Sequence, residues 1–492
     1  MAAGAAVRGR GAARWRRRFL AASLAASLGA AWAGAPAGAA AARFDPQAAA
    51  TLSGPITTGT VIEPVTAHAS ELSTDGYTEQ EFFAAGTATA FRALREPGDG
   101  RWKVAPTTSA TYQTRLIVRR PADPAHFNGT VVVEWMNESA GESAPDFDYL
   151  NPYLLAHGYA YVAVSAQALG VEGGKPLLGD VATTSGDGLV QREPARYGSL
   201  HHPGDQYSFD IFAQIAKALR APPKTVFGGV RPTHVLAVGE SQSAFFLTTF
   251  ADALQPLTHA FDGIFIHSRG EGGAGLTGTA LSAGHVPKDL WIRTDLSVPV
   301  FMFETQTDLV QLGYAAAQQP NTDRIRTWEV AGTAHADAYE VGTAAPLLGC
   351  KAMLNDGPQH EVAQAAFAAF NRWVDKGTPP PSPPRFRLAS TNPPKLALDT
   401  HGDVIGGVRT PTVDVPVATL SGAAPVGSSP LCSLFGQTTP FSPTTLLGLY
   451  QTKSHYLAEY TASLKGAIGE GYLLMTERAA LMAQAEQVQF PS

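Results

Sequence analysis

The chain has 492 residues, with 36 lysines and arginines against 42 acids and a formal net charge of −6. Hydrophobic residues make up 45% and charged residues 16%, against a usual charged share of about a quarter. A large core can therefore be buried, in one catalytic domain with extensions or in roughly two or three average domains. The charge balance excludes a basic stripe for nucleic acid, and Arg220–Lys224 is too short to make one.

Residues 1–42 read as an export signal rather than as fold. Arg8, Arg10, Arg14, Arg16, Arg17 and Arg18 form a basic region without acids, and an Ala/Leu-rich stretch from Phe19 to about Ala35 follows. Small residues then run to Ala42, with Ala35-Pro36-Ala37 as an A-x-A cleavage option. Arg16-Arg17-Arg18-Phe19-Leu20 fits the twin-arginine pattern, which places the protein in the periplasm or outside the cell. No later segment has about 18 consecutive apolar residues, so no membrane span is expected. Two cysteines, Cys350 and Cys432, point in an exported chain to one disulfide, the alternative being two buried thiols.

The segment 43–110 is turn-rich and reads as an N-terminal extension. From 111 onward, apolar runs alternate with helical patterns. Thr111–Arg119 is a predicted strand. Thr130–Trp135 is another, whose three valines mark a strand buried on both faces. Asp146–His157 is a predicted helix ended by Gly158, and Tyr159–Ser165 a strand. A Gly-rich excursion, 168–203, precedes a helix over Gln206–Leu219. Strands over Thr233–Val238 and Phe261–His267 flank a helix over Ser241–Leu254. A second Gly-rich loop, 269–290, precedes strands over Val298–Phe303 and Arg326–Val330. A helix over Glu361–Asp375 closes the series. Such alternation implies βαβ crossovers and a largely parallel sheet. Pro379–Pro384 marks a boundary, so 111–378 is the expected catalytic domain and 379–492 an accessory region packed on it.

The sharpest motif is Val235-Leu236-Ala237-Val238-Gly239-Glu240-Ser241-Gln242-Ser243-Ala244, an apolar strand running through G-x-S-x-S into a helix. A nucleophile elbow needs this strand–turn–helix context, because the turn strains the serine backbone and its neighbours two residues away must be small. A serine hydroxyl also needs a base, and the base an orienting acid. In folds with such an elbow the chain order is serine, acid, histidine. Asp308 follows the strand Val298–Phe303 as the expected acid, with Glu304 at the strand end as the alternative. His335 follows the next strand as the expected base. His267 precedes both acids, so order disfavours it, and Asp337 reads as local support for His335. The backbone N–H of Gln242 is the expected first oxyanion donor, and Asn137, in the loop after Thr130–Trp135, the second. His201-His202-Pro203-Gly204-Asp205 carries metal-capable side chains, but adjacent loop histidines rarely converge on one ion. A turn with a helix cap by Asp205 is the preferred reading, and no metal or organic cofactor is implied.

These stretches resemble the α/β-hydrolase superfamily. Within it the chain is similar to a large exported bacterial group of α/β-hydrolase domain proteins. The resemblance rests on Val131–Ser139, His202–Asp210, Val238–Ser243, Gly332–Asp337, Gly406–Pro411 and Leu431–Gly436. It implies an α/β-hydrolase fold, a mostly parallel central sheet flanked by helices. It also implies Ser241 as nucleophile, His335 as base and Asp308 or Glu304 as acid. On this reading 168–203 and 269–290 are lid insertions, the latter kept mobile by Gly270, Gly272 and Gly273. The expected function is hydrolysis of carboxylic esters, small or oligomeric, through an acyl-enzyme. Acyl transfer to an alcohol and a non-catalytic binding protein on the same fold stay as alternatives. Trp102, Trp135 and Trp291 are too scattered to mark a glycan-binding surface.

Overall fold

The computed structural model describes residues 44–65, 72–178, 186–278 and 288–490. The segment expected to be an export signal, 1–42, lies outside the described residues.

A nine-stranded sheet organises the chain, in the order β1-β2-β3-β5-β4-β6-β7-β8-β9. Its strands are β1 (Thr51–Ser53), β2 (Tyr77–Arg95), β3 (Lys103–Pro121), β4 (Thr130–Trp135), β5 (Ala160–Val164), β6 (His234–Glu240), β7 (Gly263–His267), β8 (Val300–Glu304) and β9 (Ile325–Glu329). From β5 to β9 all neighbours are parallel, as the alternation of apolar runs and helices requires. Every residue of β4, β5, β7 and β8 is buried, because helices cover both faces.

The antiparallel end differs from the sequence reading. β2 and β3 form a hairpin of two 19-residue strands that pairs with β5 through β3, from Leu116↔Val164 to Arg119↔Tyr161. The domain boundary expected at 110/111 thus falls inside β3, and residues of the supposed extension belong to the sheet. The pattern was hidden because Glu81–Ala84 are buried on both faces and show no alternation. The run is also rich in alanine, a residue that favours helices until pairing and packing override it. One anchor of this hairpin is ionic. Arg115 on β3 is fully buried and pairs with Glu81 at 3.0 Å and with Glu142, while Arg196 pairs with the other oxygen of Glu81.

The helices packed around the sheet include α1 (Pro145–Ala156), α2 (Ser208–Leu219), α3 (Gln242–Thr249), α4 (Gln359–Lys376) and α5 (Lys453–Glu470). On one side Trp135 stacks against Phe246 of α3 and meets Phe209 and Phe212 of α2. On the other side α4 crosses β7 so closely that a Cβ at Gly263 would lie 2.7 Å from Phe370 and Val374. The start of α1 is fixed from the sheet, since Glu134 accepts from the N–H groups of Asp146 and Phe147 at 3.0 and 2.9 Å.

The C-terminal region joins the same core. Tyr456, Tyr460 and Leu464 of α5 share a buried cluster with Trp328, Phe367 and Phe370. Glu329 at the end of β9 accepts from the N–H of Phe386 at 2.5 Å and pairs with Arg385 at 3.3 Å. Among the described residues, no helix is long and apolar enough to cross a membrane.

Candidate active site

The elbow follows from its residues. Ser241 sits between β6 and α3 with φ 58° and ψ −119°, a backbone that side chains rarely adopt. Its N–H donates to His267 O on β7 at 3.0 Å. A Cβ on Gly239 would lie 2.9 Å from Leu247 Cδ1 and 3.0 Å from Ser243 Cβ. The small residues two away on either side therefore face each other across the turn, and serine is small enough for the second place.

Three expected side chains converge at the carboxyl edge of the sheet. His335 Nε2 lies 2.8 Å from Ser241 Oγ, and His335 Nδ1 lies 2.6 Å from Asp308 Oδ1. The other Asp308 oxygen accepts from the N–H and the hydroxyl of Thr305, each at 2.7 Å. Burial alone would raise the Asp308 pKa. The facing imidazole and the Thr305 donors outweigh it and hold the carboxyl below its ordinary value. Glu304, the alternative acid, is fully buried at the end of β8, four residues earlier, and among the described residues neither of its oxygens has a hydrogen-bond partner. Burial and the Asp308 charge push it well above the carboxylate range.

The C-terminal region braces both loops of this relay. Thr307 Oγ1 donates to Gly422 O at 2.6 Å, and Gly422 N–H to Gln306 Oε1 at 2.7 Å. Ala336 N–H donates to Leu434 O at 3.1 Å. Cys350 and Cys432 form a disulfide across 82 residues. Replacing both by serine is expected to cost about 2–5 kcal/mol, read as a lower urea midpoint. Coincident unfolding curves would show that the bridge adds nothing.

The oxyanion assignment needs correction at Asn137. Its N–H donates to Ser143 O at 2.9 Å and its Nδ2 to Glu240 O at 3.1 Å, so neither is turned toward a substrate. The next residue lies against the elbow. Glu138 N–H donates at 2.9 Å to Oε1 of Gln242, whose own N–H opens α3. The Glu138 amide is thus tied to the side chain of the residue whose own N–H begins α3. The spacing of residues could not show this, because it depends on a tight turn pairing Asn137 with Ser143.

Beside Gln242 lies a cleft of about 410 Å³, lined by Gln242 and Phe246 on one side and by Gln167, Leu169, Lys175 and Leu177 on the other. The excursion 168–203 supplies much of that second wall; its residues 179–185 lie outside the described residues. In the other Gly-rich loop, 279–287 lie outside them too. Gly270, Gly272 and Gly273 are buried, and a Cβ on Gly270 would meet the Phe245 ring at 2.6 Å. Gly270 and Gly273 permit close packing under α3, which differs from the expectation that they keep the loop mobile.

The remaining polar residues fall into structural places. His202 is buried, with Nε2 3.0 Å from Ala166 O, and burial lowers its pKa to about 4. Asp205 accepts from Ala168 N–H at 2.6 Å instead of capping its own helix. His267 pairs with Asp146 at 2.9 Å. Among the described residues, no group of three or more His, Cys, Asp or Glu is placed to hold a metal ion.

Asp337 supports the His335 loop as expected, capping the turn Ala338–Val341 and accepting from Tyr149 OH at 3.2 Å. Burial raises Asp337 to about 7, and raises Glu361 to about 8. Unfolding returns both to the ordinary carboxylate range, so the folded chain keeps protons that the unfolded chain has released. Their stabilising contribution is full below about pH 4 and is lost as pH rises through 7 to 8. Melting temperature is therefore expected to fall between about pH 4 and 8, with a smaller fall in Asp337→Asn. An unchanged slope in that variant would discount Asp337.

A family model described as alpha/beta hydrolase domain matches residues 52–483. The chain belongs to the α/β-hydrolase domain family. Among curated proteins none matches it. Solved structures similar to this α/β-hydrolase include a glucuronoyl esterase from Solibacter usitatus, at 11% identity and TM-score 0.27, covering 57% of this chain and 84% of that one. A cold-adapted esterase from an Arctic intertidal metagenomic library has 11% identity and TM-score 0.29, covering 51% and 84%. An α/β serine hydrolase from Xanthomonas campestris, described as lacking a lid, has 12% identity and TM-score 0.27, covering 53% and 91%.

Proposed function

We propose that this α/β-hydrolase is an exported serine esterase that cleaves carboxylic esters in two acyl-transfer steps. The observation that carries the reading is the unbroken relay from Asp308 through His335 to Ser241, at 2.6 and 2.8 Å. Ser241 Oγ attacks the ester carbonyl while His335 Nε2 takes its proton. The leaving alcohol then receives that proton, and water releases the acyl group by the same route. Asp308 holds Nδ1 in its protonated form, which leaves Nε2 free as the base. The developing oxyanion is met by the N–H of Gln242 at the positive end of α3, and by the N–H of Glu138 once the Gln242 side chain swings aside. The cleft beside Gln242 fits a small ester or one end of an oligomeric one. Export is supported by the Cys350–Cys432 disulfide, since such bonds persist in oxidising compartments.

A panel of p-nitrophenyl and natural esters, assayed on protein lacking residues 1–42, tests this. Release of alcohol and acid in equal amounts, abolished in Ser241→Ala, is the expected result. Alcohol release that yields a new ester in place of the acid would mark an acyltransferase. No turnover of any ester, with tight binding of one, would mark a binding protein.

A further inference from the structure

Glu240 immediately precedes the nucleophile, yet the relay above does not use it. The residue ends β6 and is 4% exposed. Its Oε1 lies 3.6 Å from His335 Nε2, the nitrogen that serves Ser241. Its Oε2 lies 3.4 Å from Asn137 Nδ2, the same amide that donates to the Glu240 carbonyl. The carboxyl is thus aimed by a neighbour. A separation of 3.6 Å is too long for a direct hydrogen bond, and Nε2 already meets Ser241 Oγ. A carboxyl placed beside a base, but not bonded to it, can share a third molecule with it.

Deacylation supplies that molecule. Once Ser241 Oγ carries the acyl group it offers no proton, and Nε2 turns to a water. One water hydrogen points to Nε2; the other needs an acceptor if the oxygen lone pair is to face the acyl carbon. We propose that Glu240 is a positioning residue for the hydrolytic water, accepting its second hydrogen while His335 takes the first. This rests on the assignment of Ser241 and His335 above.

The step balances without further reagents. The water oxygen bonds to the acyl carbon as its proton moves to Nε2. The tetrahedral oxyanion collapses, the bond from carbon to Ser241 Oγ breaks, Oγ takes the proton back from Nε2, and the carboxylic acid leaves. Glu240 begins and ends in the same state: a neutral carboxyl with its hydroxyl on Oε2 accepts through the C=O of Oε1, the oxygen beside Nε2, as a carboxylate would. Its surroundings suit an acceptor rather than a base. Burial, together with Glu340, Asp146, Asp308 and Glu134 nearby, favours its neutral form.

Glu240→Ala and Glu240→Leu remove the acceptor, and Glu240→Gln keeps one. Deacylation enters kcat, whereas kcat/KM reports steps through acylation. Each acceptor-less variant is expected to lose on the order of 10–100-fold in kcat, the scale of a misplaced reactant, with KM falling in parallel. Its kcat/KM and its rate of Ser241 labelling by a fluorophosphonate stay near wild type, and the burst of p-nitrophenol grows. Glu240→Gln is expected to recover most of the loss. A residue that merely stabilised the imidazolium or the fold would lower kcat/KM along with kcat, and that result overturns the proposal. So does an acceptor-less variant with wild-type kcat and burst. Should Ala and Leu both fail to fold, Glu240→Met, close to the native volume and without the acceptor, decides: acyl transfer to added methanol, which brings no second hydrogen to be accepted, should gain on hydrolysis, and an unchanged ratio overturns the proposal. A wild type that neither turns over esters nor labels at Ser241 instead removes the underlying reading.

Discussion

His335→Ala is expected to lower kcat by on the order of 10³-fold or more, as triad removals do elsewhere. The imidazole is 4% exposed and bonded on both nitrogens, to Asp308 at 2.6 Å and Ser241 at 2.8 Å. Among the described residues no other imidazole is bonded to the hydroxyl: His267 is fully buried on Asp146, and His202 is turned to Ala166 O. KM should change far less than kcat, because the cleft walls formed by Phe246, Gln167 and Leu169 are untouched. Residues acting as a unit are not additive, so Ser241→Ala combined with His335→Ala should be no slower than the worse single variant. Steady-state kinetics on one activated ester checks both statements. Turnover near wild type in His335→Ala would reject it as the base.

Asp308→Asn is expected to be as damaging, on the order of 10⁴-fold in kcat by analogy with a triad aspartate. The reason lies in Thr305, whose N–H and hydroxyl both lie 2.7 Å from Asp308 Oδ2. An asparagine must turn its carbonyl oxygen toward those donors, which leaves its NH₂ facing His335 Nδ1. The imidazole then accepts at Nδ1 and carries its hydrogen on Nε2, the tautomer that cannot take a proton from Ser241. The fold should survive, since size and hydrogen bonds are kept. Glu304→Gln is the control. That residue lacks hydrogen-bond partners and lies off the imidazole, so its loss should cost kcat only a few-fold, on the scale of a remote substitution. A large loss in Glu304→Gln with a small one in Asp308→Asn would reverse the assignment of the acid.

Much of this site was legible in the sequence because chain order alone constrains it. Buried parallel strands read as apolar runs, and each places its following loop at the same edge of the sheet. Ser241, Asp308 and His335 follow β6, β8 and β9, so locating those strands located the residues. What was hidden depends on pairing or on contacts across the fold. Phe82 and Phe83 point into different buried clusters, so β2 carried no alternation to read. Asn137 fell at the expected loop position, but its bridge to Ser143 turned its amide away and left Glu138 facing Gln242. Glu240 looked like the variable residue of an elbow motif; only the folded chain brings it to within 3.6 Å of the imidazole. The Arg115–Glu81 pair was invisible for the same reason, since an arginine in a strand reads as solvent-facing until its partners are known.

The most direct test is covalent. Fluorophosphonate treatment of the purified protein, followed by peptide mass mapping, should place the phosphonyl group on Ser241 alone. Labelling should be absent in Ser241→Ala and severely slowed in His335→Ala. A wild type that stays unmodified, or one modified at another residue and still labelled in Ser241→Ala, would contradict the acyl-enzyme mechanism at its first step.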